Sequence, residues 1–210
     1  MTDQLRQIVL AAAAGTFPSP DGGVIVVPPD RTTGLHAVLS FTGHAVVATD
    51  RSREEVLALG IDGFDGTLAP DALRGLAGPD GWIGVLDVVL VARGTGVGGT
   101  ALRPSDSDEA HLRVEYAQAT RVDVQVLADE RGLVTIGRGL GGRTEIGFEV
   151  VENRRGRGIG RSILLDLLAE MPVGAPIFAS CAPGNARSLR SLLAAGFTVI
   201  GGENLIRPAR

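Results

Sequence analysis

An α/β fold, with a mixed β-sheet flanked by helices, is what this sequence predicts, and three observations predict it. Short β-branched runs alternate with segments of helical period along the chain. The stretch Trp82 to Val91 is a nearly continuous apolar run, the pattern of a strand buried on both faces. Apolar residues make up 44% of the 210 residues but aromatics only 4%, so the core has to be mostly aliphatic.

In the first half, Leu5, Ile8, Val9 and Ala12 recur at helical spacing and predict a helix from Thr2 to about Ala14. Val24 to Val27 is a β-branched run stopped by Pro28-Pro29. Leu35 to Phe41 and Ala45 to Thr49 flank Thr42-Gly43-His44 and predict a tight hairpin. Arg51 to Leu59 reads as a helix, with Ser52 placed to cap it and Glu54-Glu55 in the first turn, where the helix dipole favours them. A passage rich in Gly, Asp and Pro follows, from Gly60 to Gly81, and Phe64 and Trp82 are expected to anchor the core. The glycine-rich stretch between Gly94 and Pro104 reads as a linker or long loop. It divides the chain into a small α/β region of no assigned role, residues 1–100, and a second domain, residues 101–210.

The second half has a clearer rhythm. A helix is expected over Ser107 to Thr120, then a strand over Val122 to Ala128 and a turn at Asp129-Glu130-Arg131-Gly132. Leu133 to Gly139 and Thr144 to Val151 read as strands joined at Gly141-Gly142. A Gly/Arg loop opens a helix from about Gly158 to Glu170. Pro176 to Cys181 is a strand, and Asn185 caps a helix that Gly196 stops. Phe197 to Ile200 and Asn204 to Arg207 are expected as a closing pair of strands.

Composition removes several function classes. All 20 basic residues are Arg, so there is no lysine for a P-loop or a Schiff base. One cysteine, Cys181, excludes a disulfide within the chain, and His36, His44 and His111 do not fall at metal-ligand spacing; no metal is expected. His36 and His44 read as ordinary surface or packing residues. The net charge of −4 argues against a nucleic-acid partner, and no apolar run approaches the roughly 20 residues that span a bilayer, so no membrane partner is expected. The low cysteine content suits a reducing compartment, and a cytoplasmic protein is the expectation.

The segment with chemistry in it runs from Val150 to Arg161 and joins a strand to an amphipathic helix. A helix start carries unsatisfied N–H groups and a partial positive charge, and glycines let that backbone approach a ligand closely. Four Arg within eight residues, on an otherwise acidic chain, add a local positive field. Together they form a cradle for a small phosphorylated molecule.

Val150, Arg155, Gly158 and Gly160 have the spacing V-x-x-x-x-[QR]-x-x-G-x-[GA], and in this the chain resembles the GNAT acyltransferase superfamily. The segment Asn185 to Phe197 resembles a second signature of that family, an Asn-opened helix ended by Gly-Phe, and Leu102-Arg103-Pro104 resembles a common opening. The likeness covers about residues 102–207. It implies a GNAT-like mixed sheet, splayed where the coenzyme enters, and transfer of an acyl group, most simply acetyl from acetyl-CoA, to a small-molecule or peptide amine. It implies that Arg155, Gly156, Arg157, Gly158, Ile159 and Gly160 hold the pyrophosphate. Val150 and Val151 would end the strand that pairs with the pantetheine arm, and Asn185 would lie beside the thiol. Glu145, or Glu149 on the same strand face, would serve as base. It also allows a homodimer. The family's frequent tyrosine, seven residues after the helix-opening Asn, is Leu192 here; Cys181, Ser188 and Tyr116 are the other acid candidates, each read as structural. That departure keeps open a second reading, a non-catalytic acyl-CoA-binding regulatory module. Gly94-Thr95-Gly96-Val97-Gly98-Gly99 formally matches a dinucleotide fingerprint, but Pro104 leaves the required helix about one turn.

Overall fold

The computed structural model describes residues 4–106 and 111–209. It is α/β, as the pattern predicts, and forms two compact units: Met1–Val89 with Ile200–Arg210, and Leu90–Val199. The division falls short of the boundary expected near residue 100, and the chain's last segment returns to the first unit.

The first unit contains α1 (Gln4–Ala13), β1 (Val24–Val27), β2 (His36–Phe41), β3 (His44–Ala48), α2 (Arg53–Ala58), α3 (Pro70–Ala77), β4 (Trp82–Ile83) and the start of β5 (Asp87–Arg93). Its sheet is mixed. β1 lies parallel to β3, β3 pairs antiparallel with β2, and the chain's last strand pairs antiparallel with β2 and β4. Phe41 opposite His44 closes the hairpin around a two-residue turn, Thr42-Gly43. Ser52 and Glu55 form a reciprocal capping box at the start of α2.

Helix α3 lies inside the passage that composition marks as irregular. Pro70 in its first turn is compatible with a helix, and Ala72, Leu73, Leu76 and Ala77 form a buried stripe. They pack with Val38, Val47, Val56 and Ile206 in an aliphatic core. Phe64 and Trp82 are not its anchors: they are 62% and 40% exposed, Trp82 lying beneath the Arg207 guanidinium. The expected long strand from Trp82 is two strands, broken at residues 84–86, where the Gly84 N–H donates to the Leu205 carbonyl.

The second unit contains the rest of β5, then β6 (Arg103–Pro104), α4 (Leu112–Thr120), β7 (Val122–Asp129), β8 (Gly132–Arg138), β9 (Thr144–Val150), α5 (Ile159–Glu170), β10 (Pro176–Cys181) and α6 (Ala186–Ala194). Its strand order is β5-β10-β9-β8-β7-β6. β6 to β9 form an antiparallel meander, and β10 adds parallel to β9. Of the helix expected from Ser107, residues 107–110 lie outside the described residues; α4 is capped by His111, whose Nδ1 accepts from the Arg113 N–H. The closing pair of strands is instead one continuous strand, β11 (Thr198–Arg207), with Gly201-Gly202 inside it.

The stretch expected to be a linker has a specific task. The N–H groups of Thr95, Gly98 and Gly96 donate to the Leu168, Ala169 and Met171 carbonyls, and Thr100 binds the Glu170 carboxylate through its N–H and its hydroxyl. The glycine-rich run thus supplies the donors that the end of α5 lacks. Those amides are consumed, which removes the dinucleotide reading.

Strand β9 is covered on both faces. A Cβ at Gly147 would meet the Arg113 side chain of α4, whereas a Cβ at Gly160 of α5 would meet Phe148. Neighbouring residues of a strand point to opposite faces, so α4 and α5 lie on opposite sides of β9. The same Gly160 Cβ would sit 2.7 Å from Ser191 Oγ of α6. Gly160 therefore sets how closely α5 approaches both neighbours. Gly160→Ala is expected to lower stability by about 1–3 kcal/mol and Ser191→Ala to restore part of it, read by denaturant melts. An unchanged midpoint in Gly160→Ala would refute the close approach.

Candidate functional site

The parallel pairing of β10 with β9 comprises two register pairs, Phe178 with Glu145 and Ala179 with Ile146. β9 continues to Val150 with β8 paired along its other side as far as Gly132, while β10 ends at Cys181. Beyond Ile146 the edge of β9 is therefore open. The Val151 N–H donates to the Arg131 carbonyl at 2.9 Å, toward β8. Successive residues of an extended strand present their peptide groups to alternate edges, so Phe148 and Val150 present theirs to the open side.

From there the chain makes a 3₁₀ turn, Glu152–Arg154, and reaches α5 through Arg155, Gly156, Arg157 and Gly158. Gly158 is the N-cap at φ 76°, ψ 3°, a left-handed conformation that side chains disfavour, and it offers no capping side chain. The first helical bond runs from the Ser162 N–H to the Gly158 carbonyl. The N–H groups of Ile159, Gly160 and Arg161 lie in the turn where a helix has no carbonyls of its own to offer. A Cβ at Gly156 or Gly158 would meet open space, so the loop backbone is accessible there. The predicted residues Val150, Val151 and Arg155 to Gly160 form one continuous feature: an open strand edge leading to an uncapped helix start.

Arg155 folds back over that edge. Its Nε donates to the Val150 carbonyl at 3.1 Å and its Nη2 to Glu149 Oε1 at 3.0 Å. Arg113 Nη2 stands 3.8 Å from Glu149 Oε2. Glu149, Arg155, Val151, Glu152, Leu133 and His111 line a cavity of about 340 Å³ at the end of β9. Its wall mixes apolar groups with the carboxylates of Glu149 and Glu152 and the Arg155 guanidinium.

Glu145 is placed differently from what a base requires. It is 5% exposed, and Oε1 accepts from Arg121 Nη2 at 2.8 Å while Oε2 accepts from Arg143 Nε at 2.8 Å. Ser180 Oγ lies 3.2 Å from Arg143 Nη2, tying β10 into the same network, and Arg121 reaches Thr135 of β8. Burial alone would raise the Glu145 carboxyl pKa; the charges of Arg121 and Arg143 outweigh that and bring it down to about 2. A carboxylate so held is a poor proton acceptor, and this geometry favours an anchoring role for Glu145 over the base expected of it. The sequence reading missed Arg121 and Arg143. The Arg143-Thr144-Glu145 alternation was the available signal, since i and i+2 share a strand face.

On the other side of the cleft, Asn185 is exposed and caps α6, its Oδ1 accepting from the Ser188 N–H at 3.2 Å. Leu192 is buried in the core, so no side chain there offers a proton. Cys181 is buried, its sulfur near the Ala182 and Asn185 carbonyls. Among the described residues no cluster of His, Cys, Asp and Glu is placed to hold a metal, and no helix is long and apolar enough to cross a membrane.

No family model and no curated protein matches the chain. Solved structures do. An acetyltransferase of the GNAT family from Colwellia psychrerythraea is 12% identical, with 61% of this chain and 57% of that one covered and a TM-score of 0.39. A putative GNAT-family acetyltransferase from Novosphingobium aromaticivorans DSM 12444 is 15% identical over 63% of this chain and 69% of that one, TM-score 0.41. A functionally unknown conserved protein from Staphylococcus epidermidis ATCC 12228 is 16% identical over 66% and 67%, TM-score 0.41. The likeness is one of fold.

Two measurements test the Glu145 assignment. Its carboxyl pKa is lower folded than unfolded, so its stabilisation is complete above about 4.5 and is lost as pH falls toward about 2. Glu145→Gln leaves two buried guanidinium groups without their carboxylate and is expected to cost roughly 3–5 kcal/mol at neutral pH, with the acid limb of the stability profile flattened. A variant as stable as the wild type would show that the carboxylate is not an anchor.

Proposed function

We propose that the second unit binds an acyl-coenzyme A and transfers its acyl group, most simply acetyl, to a primary amine. The observation that carries this reading is the continuity of the open edge of β9 with the uncapped start of α5. An extended arm bearing amides pairs with the peptide groups that Phe148 and Val150 present to that edge. A diphosphate at its far end accepts from the first-turn N–H groups of α5, with Arg155 and Arg157 beside it. Few ligands combine an amide-bearing arm with a diphosphate, and an acyl-CoA does.

In the reaction the amine nitrogen attacks the thioester carbon, a C–N bond forms and the C–S bond breaks. The amine's proton passes to Glu149, directly or through water. The leaving thiolate takes a proton from solvent, since Leu192 offers none. Main-chain N–H groups at the open edge are the oxyanion donors available to the thioester oxygen. The carboxylate-lined cavity beside Glu149 favours a cationic acceptor, a small molecule or a peptide amine.

Glu145 and Leu192 together favour a second reading, acyl-CoA binding without transfer, because neither supplies acid or base. An amine panel assayed for free thiol separates the two. Transfer predicts thiol release that depends on amine and falls by at least about tenfold in Glu149→Gln; binding alone predicts slow release whatever amine is added.

The coenzyme assignment is tested by calorimetry with acetyl-CoA on Gly158→Asn and Gly158→Asp. Both side chains are of similar size and tolerate the left-handed backbone, and only one puts an anion beside the diphosphate. Gly158→Asp is expected to bind at least about tenfold more weakly than Gly158→Asn, equivalent to about 1.4 kcal/mol. Equal affinities would remove the assignment.

A further inference from the structure

Resting on the reading of this cleft as an acyl-CoA site, we infer that Arg155 is a positioning residue that latches the open edge of β9 and is released by the ligand's diphosphate. Its guanidinium engages two groups that the proposed reaction needs free. One is the Val150 carbonyl, bound by Nε at 3.1 Å, which is the acceptor an amide of the pantetheine arm would use. The other is the Glu149 carboxylate, bound by Nη2 at 3.0 Å, which takes the amine's proton. The contact from Arg113 to Glu149 is 3.8 Å, beyond hydrogen-bond range, so the short contact to that carboxylate among the described residues is Arg155's. Arg155 also stands three positions before Gly158, in the loop that meets the helix start, so the guanidinium and the proposed diphosphate site belong to one short segment.

The exchange has a driving force, and the contact it breaks is weak. A diphosphate offers more charge and more acceptor oxygens than one carboxylate and one carbonyl, and the planar guanidinium fork suits it. The side chains of Arg155 and Glu149 are 42% and 33% exposed, so the latch is a weak, solvent-screened contact. A ligand with the diphosphate recovers what breaking it costs. A ligand lacking the diphosphate does not. The same step that seats the diphosphate uncovers the strand carbonyl and frees the carboxylate, which couples coenzyme capture to readiness for the amine.

The test compares acetyl-CoA with S-acetylpantetheine, which has the arm and the thioester but no diphosphate, on the full-length wild type and Arg155→Ala. The latch predicts opposite signs. Arg155→Ala binds S-acetylpantetheine about two- to fivefold more tightly than the wild type, because the edge is already open, and binds acetyl-CoA more weakly. A variant that binds S-acetylpantetheine no better than the wild type, whatever happens to acetyl-CoA, overturns the latch and leaves Arg155 a plain phosphate ligand. Failure of the wild type to bind acetyl-CoA at all would instead bring down the cleft reading, and the latch with it.

Discussion

The second unit's cleft begins at the point where β9 and β10 part. Pairing holds at Glu145 and Ile146 and stops there, yet β8 keeps β9 extended to Val150. Peptide groups with no neighbouring strand have to find another partner, and an open sheet edge is normally covered, paired or filled by a ligand. Glu145 stands at the parting point. Its carboxylate lies between Arg121, at the end of α4, and Arg143, at the start of β9, and Arg143 also meets Ser180 of β10. A buried, fully engaged ion pair gives little net stability against an apolar alternative, but removing one member is costly. Here the interaction joins α4, β9 and β10 where the two strands diverge.

The same two residue types serve opposite ends of β9 in opposite ways. Around Glu145 the guanidinium contacts are buried and persistent. Around Glu149 they are long or half exposed and therefore exchangeable. Energetics alone separates them, since both are Arg–Glu contacts on one strand face. Behind the loop, Arg131 of the β7–β8 turn binds Asp129, Ser162 and Asp166, which ties the start of α5 to the meander and holds the helix mouth in line with the open edge.

Much of this was legible in the sequence, for identifiable reasons. The capped α2 and α6, the hairpin of β2 and β3, and the strand–loop–helix around Gly158 each carry local signals that coincide with tertiary demands. Helix α3 was not legible because its buried alanines and leucines sit among glycines, prolines and aspartates, and the burial that decides the matter is tertiary. The glycine run at 94–99 reads as a linker or loop in sequence because its amides find their acceptors about seventy residues later, at the end of α5. Within the site, the loop residues follow from spacing. The fate of Glu145 does not, since Arg121 joins it from another element and only the folded arrangement brings the two guanidinium groups to one carboxylate.

The most direct measurement is amide hydrogen exchange of the full chain with and without coenzyme A. If the arm pairs with the open edge and the diphosphate caps the helix, exchange slows at Phe148 and Val150 and at Ile159, Gly160 and Arg161, and stays unchanged at Val151, whose N–H already bonds to Arg131. Protection confined to other segments, or none at saturating coenzyme, would contradict the account.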